Sequence, residues 1–100
     1  MPTISRTALP IEQDLFGTIE IDGEVFDDVR PNWFPWTMPF NMTGHPAVSL
    51  PCGFGADGLP IGLQLVGRFR GDVGLLRVCA LFEAAQNSLD RWPTWPSPAV

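Results

Sequence analysis

Phe40-Asn-Met-Thr-Gly-His-Pro-Ala-Val-Ser-Leu-Pro-Cys-Gly-Phe-Gly-Ala-Asp-Gly-Leu-Pro-Ile-Gly-Leu-Gln-Leu-Val66, followed at once by Gly67, decides how this chain folds. Between Pro46 and Pro51 lies a short β-prone stretch, Ala47-Val48-Ser49-Leu50, and after a glycine-rich connection comes a longer one, Ile61-Gly62-Leu63-Gln64-Leu65-Val66. Strand alternation sets Ile61, Leu63 and Leu65 on one face and Gly62, Gln64 and Val66 on the other. Both faces are mostly apolar or small, the pattern of a strand inside a sheet that helices cover on both sides. Glycine at position 62 marks a close approach by neighbouring backbone or a helix. Residues 47–66 therefore read as core strands written for a larger sheet.

Downstream, the spacing predicts a helix over 72–87. Asp72 is the candidate N-cap, since its carboxylate can accept from the first free amides and complements the positive helix end. Leu75, Val78, Cys79 and Phe82 form the stripe expected of a buried helix face. Val73, Leu76, Leu81, Ala84 and Ala85 extend the apolar surface almost all round, so the helix should be buried on more than one side. Residues 91–100, with Trp92, Pro93, Trp95, Pro96 and Pro98, revert to an extended Pro-aromatic tail.

Upstream, residues 30–40 combine Pro31, Pro35 and Pro39 with Trp33, Phe34, Trp36 and Phe40. The prolines argue against helix and against a central strand, so a loop is expected. It is too apolar to stand free in water, and packs on the body or lines a pocket. In residues 17–28, Asp22-Gly23 separates two short β-prone stretches, the signal for a tight type I′ hairpin. Seven of the acidic residues lie between Glu12 and Asp28. Charge on a hairpin edge discourages strand pairing, and a solvated face explains the cluster better than a cation site. Residues 1–16 carry two prolines and no period, and read as a surface-hugging extended segment.

Composition narrows the function classes. With 45% hydrophobic and 17% charged residues, the 100-residue chain is not a disordered one. A net charge of −5 has the wrong sign for a phosphate backbone, so nucleic acid is not an expected partner. The N-terminus has no apolar signal core and no stretch is long enough to span a bilayer, so no membrane partner is expected. Cys52 and Cys79 show neither zinc-ligand spacing nor a disulfide framework, which fits a reducing cytoplasm. No metal site and no cofactor are expected.

A search for catalytic groups finds Ser5, Ser49, Ser88 and Ser97, a single histidine, His45, and no Gly-x-Ser-x-Gly elbow. His45 and Ser49 are separated by a proline and a strand, and nothing sets imidazole against hydroxyl as a base and nucleophile require. A structural hydrogen bond is the simpler role for His45. Cys52 has no nearby cation to lower its pKa and reads as a small buried hydrophobe. Residues 53–58 run into Leu59-Pro60 and another strand, where a phosphate loop would run into a helix. All six basic residues are arginine, so the chain has no lysine.

The run Pro39-Phe40-Asn41-Met42-Thr43-Gly44-His45-Pro46-Ala47, then Leu50-Pro51-Cys52-Gly53-Phe54, then residues 58–67, Leu75-Leu76-Arg77 and Phe82-Glu83, closely resembles the C-terminal part of the amidase signature family. Pro2-Thr3-Ile4 resembles the Pro-Thr element of the same family. The resemblance implies an α/β fold, here the C-terminal fragment of a mixed sheet flanked by helices, with a small hairpin, two core strands and one buried helix. It implies hydrolysis of carbon-nitrogen bonds through a Ser-cisSer-Lys triad in a Gly/Ser-rich region upstream, none of which matches a position here. The chain is then expected to be inactive alone, with the remainder of the domain as its partner and a small-molecule amide as the substrate of the intact enzyme. Trp33, Trp36, Phe40, Asn41 and Cys52 are the candidate pocket wall. The alternatives are a non-catalytic interaction module and a subunit that completes a separately encoded amidase part.

Overall fold

The structure, a computed structural model, describes residues 1–86; the expected tail at 91–100, Ser88, Ser97 and the last residue of the expected helix lie outside the described residues. In chain order the elements are β1 (Ile19–Ile21), β2 (Glu24–Phe26), α1 (Val29–Trp33), α2 (Met38–Thr43), β3 (Ala47–Phe54), β4 (Pro60–Val66) and α3 (Asp72–Ala85). Among the described residues they form two antiparallel two-stranded sheets and three helices, a small α/β arrangement.

The hairpin is present. β1 pairs with β2 through Ile19 and Phe26, and Asp22 and Gly23 both take positive φ, 53° and 81°, as the central residues of a type I′ turn require. Helix α1 packs on β1, where Ile19 and Val29 are fully buried and form one small core.

Where a loop was expected at 30–40 there are two short helices. Pro31 is the third residue of α1 and Pro39 the second of α2. The first four amides of a helix have no intrahelical acceptor, so a proline there gives up no hydrogen bond and its fixed φ suits the first turn. Asp28 caps α1, its carboxylate accepting from the amide of Arg30 at 3.2 Å.

β3 and β4 pair from Ala47 with Val66 to Phe54 with Pro60. β3 is longer than its apolar core because it passes through Pro51 and Gly53 with a register shift between them, leaving Cys52 as the extra residue of a bulge. Beyond β4, the N-terminal segment adds a further rung. Pro2 bridges Leu63, the amide of Thr3 donates to Gly62 at 3.0 Å, and the amide of Gln64 donates to Met1 at 2.7 Å.

That segment, featureless in local sequence, ties the parts together. The amide of Ser5 donates to Trp33, Arg6 donates through Nη1 to the carbonyl of Glu20, and Thr7 donates to the Asp57 carboxylate in the β3–β4 turn.

Helix α3 crosses β3 and β4 and buries Leu75 and Cys79, the second small core. Asp72 is its first residue rather than its cap. Gly71 holds the cap position without a side-chain bond, its amide donates to Arg68 at 2.7 Å, and its carbonyl accepts from Leu75 at 3.0 Å. Asp72 still contributes a negative charge to the first turn. Among the described residues the helix is covered on one side only: Val73, Leu76 and Leu81 are 64%, 59% and 72% exposed.

Candidate functional site

A cleft of about 290 Å³ lies between α2 and the β3–β4 ribbon. Thr37, Phe40 and Asn41 line it from α2, His45 from the following turn, Ala47, Val48 and Ser49 from β3, Gln64 from β4, and Thr3 from the N-terminal segment. Local sequence sets α2 against β3. Helix α2 stops at Gly44, whose φ of 77° and amide bond to the Phe40 carbonyl at 3.0 Å make a left-handed cap. The chain then turns through His45 and Pro46 into β3, and the Pro46 carbonyl accepts from Gly67 at 2.9 Å.

Gln64 is the one buried polar side chain among the described residues, and its Nε2 donates to the Trp36 carbonyl at 2.9 Å. Thr3 Oγ1 and Ser49 Oγ are 2.6 Å apart. They meet above Gly62, where an added Cβ would stand 2.8 Å from Ser49 Oγ and 2.9 Å from Thr3 Oγ1. The close approach signalled by glycine in β4 is thus made by two hydroxyls rather than by backbone or a helix.

His45 Nδ1 is 2.9 Å from Thr43 Oγ1, and its ring meets Phe69 edge-on with centroids 5.7 Å apart. Imidazole and Ser49 therefore have different partners, and no base-nucleophile pair forms. The side-chain amide of Asn41 makes no hydrogen bond among the described residues.

Of the five expected wall residues, Phe40 and Asn41 line the cleft. Trp36 bounds it indirectly, by fixing Gln64. Trp33 packs edge-on against Phe34, and its buried Nε1 has no hydrogen-bond partner among the described residues. Cys52 is exposed on the bulge with Sγ 3.5 Å from the Ile61 carbonyl, not the buried hydrophobe its neighbours implied, because the extra residue of a bulge is pushed out of the pleat. Thr3, Thr37, His45, Ser49 and Gln64 also line the cleft, and no local pattern marks them as wall residues. Only Gly62, as a gap in an apolar strand, points toward the pair above it.

Outside the cleft, Asp57 is held below the usual carboxylate range, first by the Thr7 hydroxyl and then by the Leu59 amide. Residues 55–58 turn from β3 to β4 through the bond from Gly58 to Gly55 at 3.0 Å, and do not open onto a helix. No helix among the described residues is long and apolar enough to cross a membrane.

The family model for Amidase matches residues 1–76, and the chain belongs to the amidase family. It is similar to an acylamidase from Rhodococcus erythropolis, 37% identical over 92 residues, which are 92% of this chain and 19% of that protein. It is also similar to a glutamyl-tRNA(Gln) amidotransferase subunit from Brevibacillus brevis, 48% identical over 59 residues, 59% of this chain and 12% of that protein. The corresponding protein from Prochlorococcus marinus is 49% identical over 57 residues, 57% of this chain and 12% of its own length. The chain thus spans about a fifth or less of the curated relatives it matches. No solved structure gives a significant match.

Proposed function

We propose that this chain supplies the closing part of an amidase sheet and one wall of its substrate pocket, while the catalytic groups come from sequence outside these 100 residues. One observation carries the reading: the chain belongs to the amidase family yet contains no lysine to serve as the base of a Ser-cisSer-Lys triad. In the completed enzyme, lysine acting through the bridging serine takes the proton of the nucleophilic serine. That serine attacks the amide carbon and expels the amine, and water then releases the acid from the acyl-enzyme.

The chain's own contribution is support and shape. The apolar side of α3 that the described residues leave uncovered, and the Trp33 Nε1 that has no partner among them, fit surfaces that the remainder of the domain covers. The partner is that remainder, and a small-molecule amide is the substrate of the whole. Two free thiols fit a reducing, cytoplasmic setting.

Co-expression tests the association. The partner is the Rhodococcus erythropolis acylamidase deleted of the region this chain matches. The chain is expected to co-purify with it in equal amounts, and two components that separate on gel filtration contradict the reading.

A further inference from the structure

One edge of β4 is paired with β3 and the other only in part. In an antiparallel ladder the N–H and C=O of one residue point to the same side, and successive residues alternate. The Gly67 amide donates to Pro46 on the β3 side, whereas the Gly62 carbonyl and the Gln64 amide bond to Thr3 and Met1 on the other. The N–H and C=O of Val66, which lies opposite Ala47, therefore point to the edge that carries Met1–Thr3. They stand one rung beyond the Met1 nitrogen, itself 3.3 Å from the Gln64 carbonyl. Among the described residues nothing pairs with them there.

Beside Val66 a groove of about 490 Å³ runs between the end of β4 and the first two turns of α3, and Leu65, Val66, Arg68, Gly74, Leu75 and Val78 contribute to its lining. A Cβ added at Gly74 would meet nothing within 4 Å, so no packing among the described residues calls for glycine there, although glycine weakens a helix interior. An unpaired ladder edge accepts a strand, and an apolar groove along it accepts that strand's alternate side chains. We infer that Val66 and this groove form a docking edge for an extended, apolar-faced strand of the remainder of the amidase domain, laid antiparallel to β4 in line with Met1–Thr3. This deepens the scaffold reading and rests on it. The remainder is the source because the curated relatives carry most of their length outside the match, and the direction of Met1–Thr3 continues one unbroken ladder along β4.

The test is amide hydrogen exchange at Val66, read by mass spectrometry on fragments that span it, in the chain alone and in its complex with the truncated Rhodococcus erythropolis acylamidase. The amide is expected to exchange about tenfold more slowly in the complex. Gly74→Leu fills the groove and is expected to lower recovery of the complex about tenfold, while the isolated variant melts no lower than the unmodified chain, since leucine favours helix over glycine. A complex in which Val66 exchanges as fast as in the free chain, or one that the Gly74→Leu chain forms equally well, overturns the inference and leaves the scaffold reading standing. Protection of Val66 that grows with the concentration of the chain alone assigns the edge to a second copy and also overturns it. With no complex at all the scaffold reading fails, and the edge is judged on the chain carrying an alternating Thr-Val extension ahead of Met1. Slower exchange at Val66 than with a Gly-Ser extension of equal length then supports a strand edge, and equal exchange overturns it.

Discussion

The side-chain amide of Gln64 donates to the carbonyl of Trp36 at 2.9 Å, joining β4 to the Pro-aromatic segment across 28 positions of sequence. The bond ties the segment that leads into α2 to the ribbon, beside the cleft that Gln64 lines. Gln64→Leu keeps the volume but leaves the Trp36 carbonyl without its donor, and should cost roughly 1–3 kcal/mol. Urea denaturation measures the loss, and limited proteolysis should show faster cutting between Trp33 and Thr37.

Gly62 and the hydroxyl pair should couple. Gly62→Ala places a methyl within 2.9 Å of both oxygens and should destabilise by about 1–2 kcal/mol as they are driven apart. In a Thr3→Ala, Ser49→Ala background the oxygens are gone and the same substitution should cost much less. The double-mutant cycle therefore has a non-zero interaction energy. Additivity would mean that the pair moves aside freely.

Asp57 makes the β3–β4 turn sensitive to acid. The Thr7 hydroxyl and the Leu59 amide stabilise its charged form, so its folded pKa lies below the unfolded one. The stabilising effect is present above the ordinary carboxylate range and is lost as pH falls through the folded value. Thr7→Val should return the Asp57 carboxyl toward its ordinary titration midpoint, read by carbon-detected NMR. An unchanged midpoint would assign the shift to the Leu59 and Asp57 backbone amides and the Arg6 charge.

The outer side of α3 should tolerate charge in the isolated chain. Val73→Glu, Leu76→Lys and Leu81→Lys replace side chains that are exposed among the described residues, and each should change stability by no more than about 0.5 kcal/mol. Circular dichroism should show the helix kept, and binding of a hydrophobic dye should fall. The same variants should fail to co-purify with the upstream part of an amidase, whereas cooperative loss of the helix would show that this side is needed by the chain itself.

How much of the molecule is legible in sequence depends on how local each signal is. The two-faced run at 61–66, the Asp22-Gly23 turn and the stripe through Leu75 and Cys79 depend on neighbours within a few positions, and β4, the hairpin and α3 form there. Helices α1 and α2 escape because a proline in the first turn of a helix has the same composition as a proline in a loop. Only the position of Asp28 before Val29, and of Gly44 after Thr43, distinguishes them. The rung of Met1 to Thr3 on β4 and the meeting of Thr3 with Ser49 join residues 46 to 63 positions apart, and no local pattern encodes such pairs. The cleft lies half in view: Phe40 and Asn41 belong to the conspicuous apolar segment, while the polar floor is made by long-range pairing.

Amide turnover tests the central claim most directly. The purified chain, and the chain combined with the upstream acylamidase part, are each given a chromogenic anilide, and release of the aniline is followed by absorbance. No release above the buffer rate is expected from the chain alone, and release is expected when the upstream part supplies serine and lysine. Turnover by the 100-residue chain on its own, lost in a Ser49→Ala or His45→Ala variant, would contradict the assignment of the catalytic groups to sequence outside it.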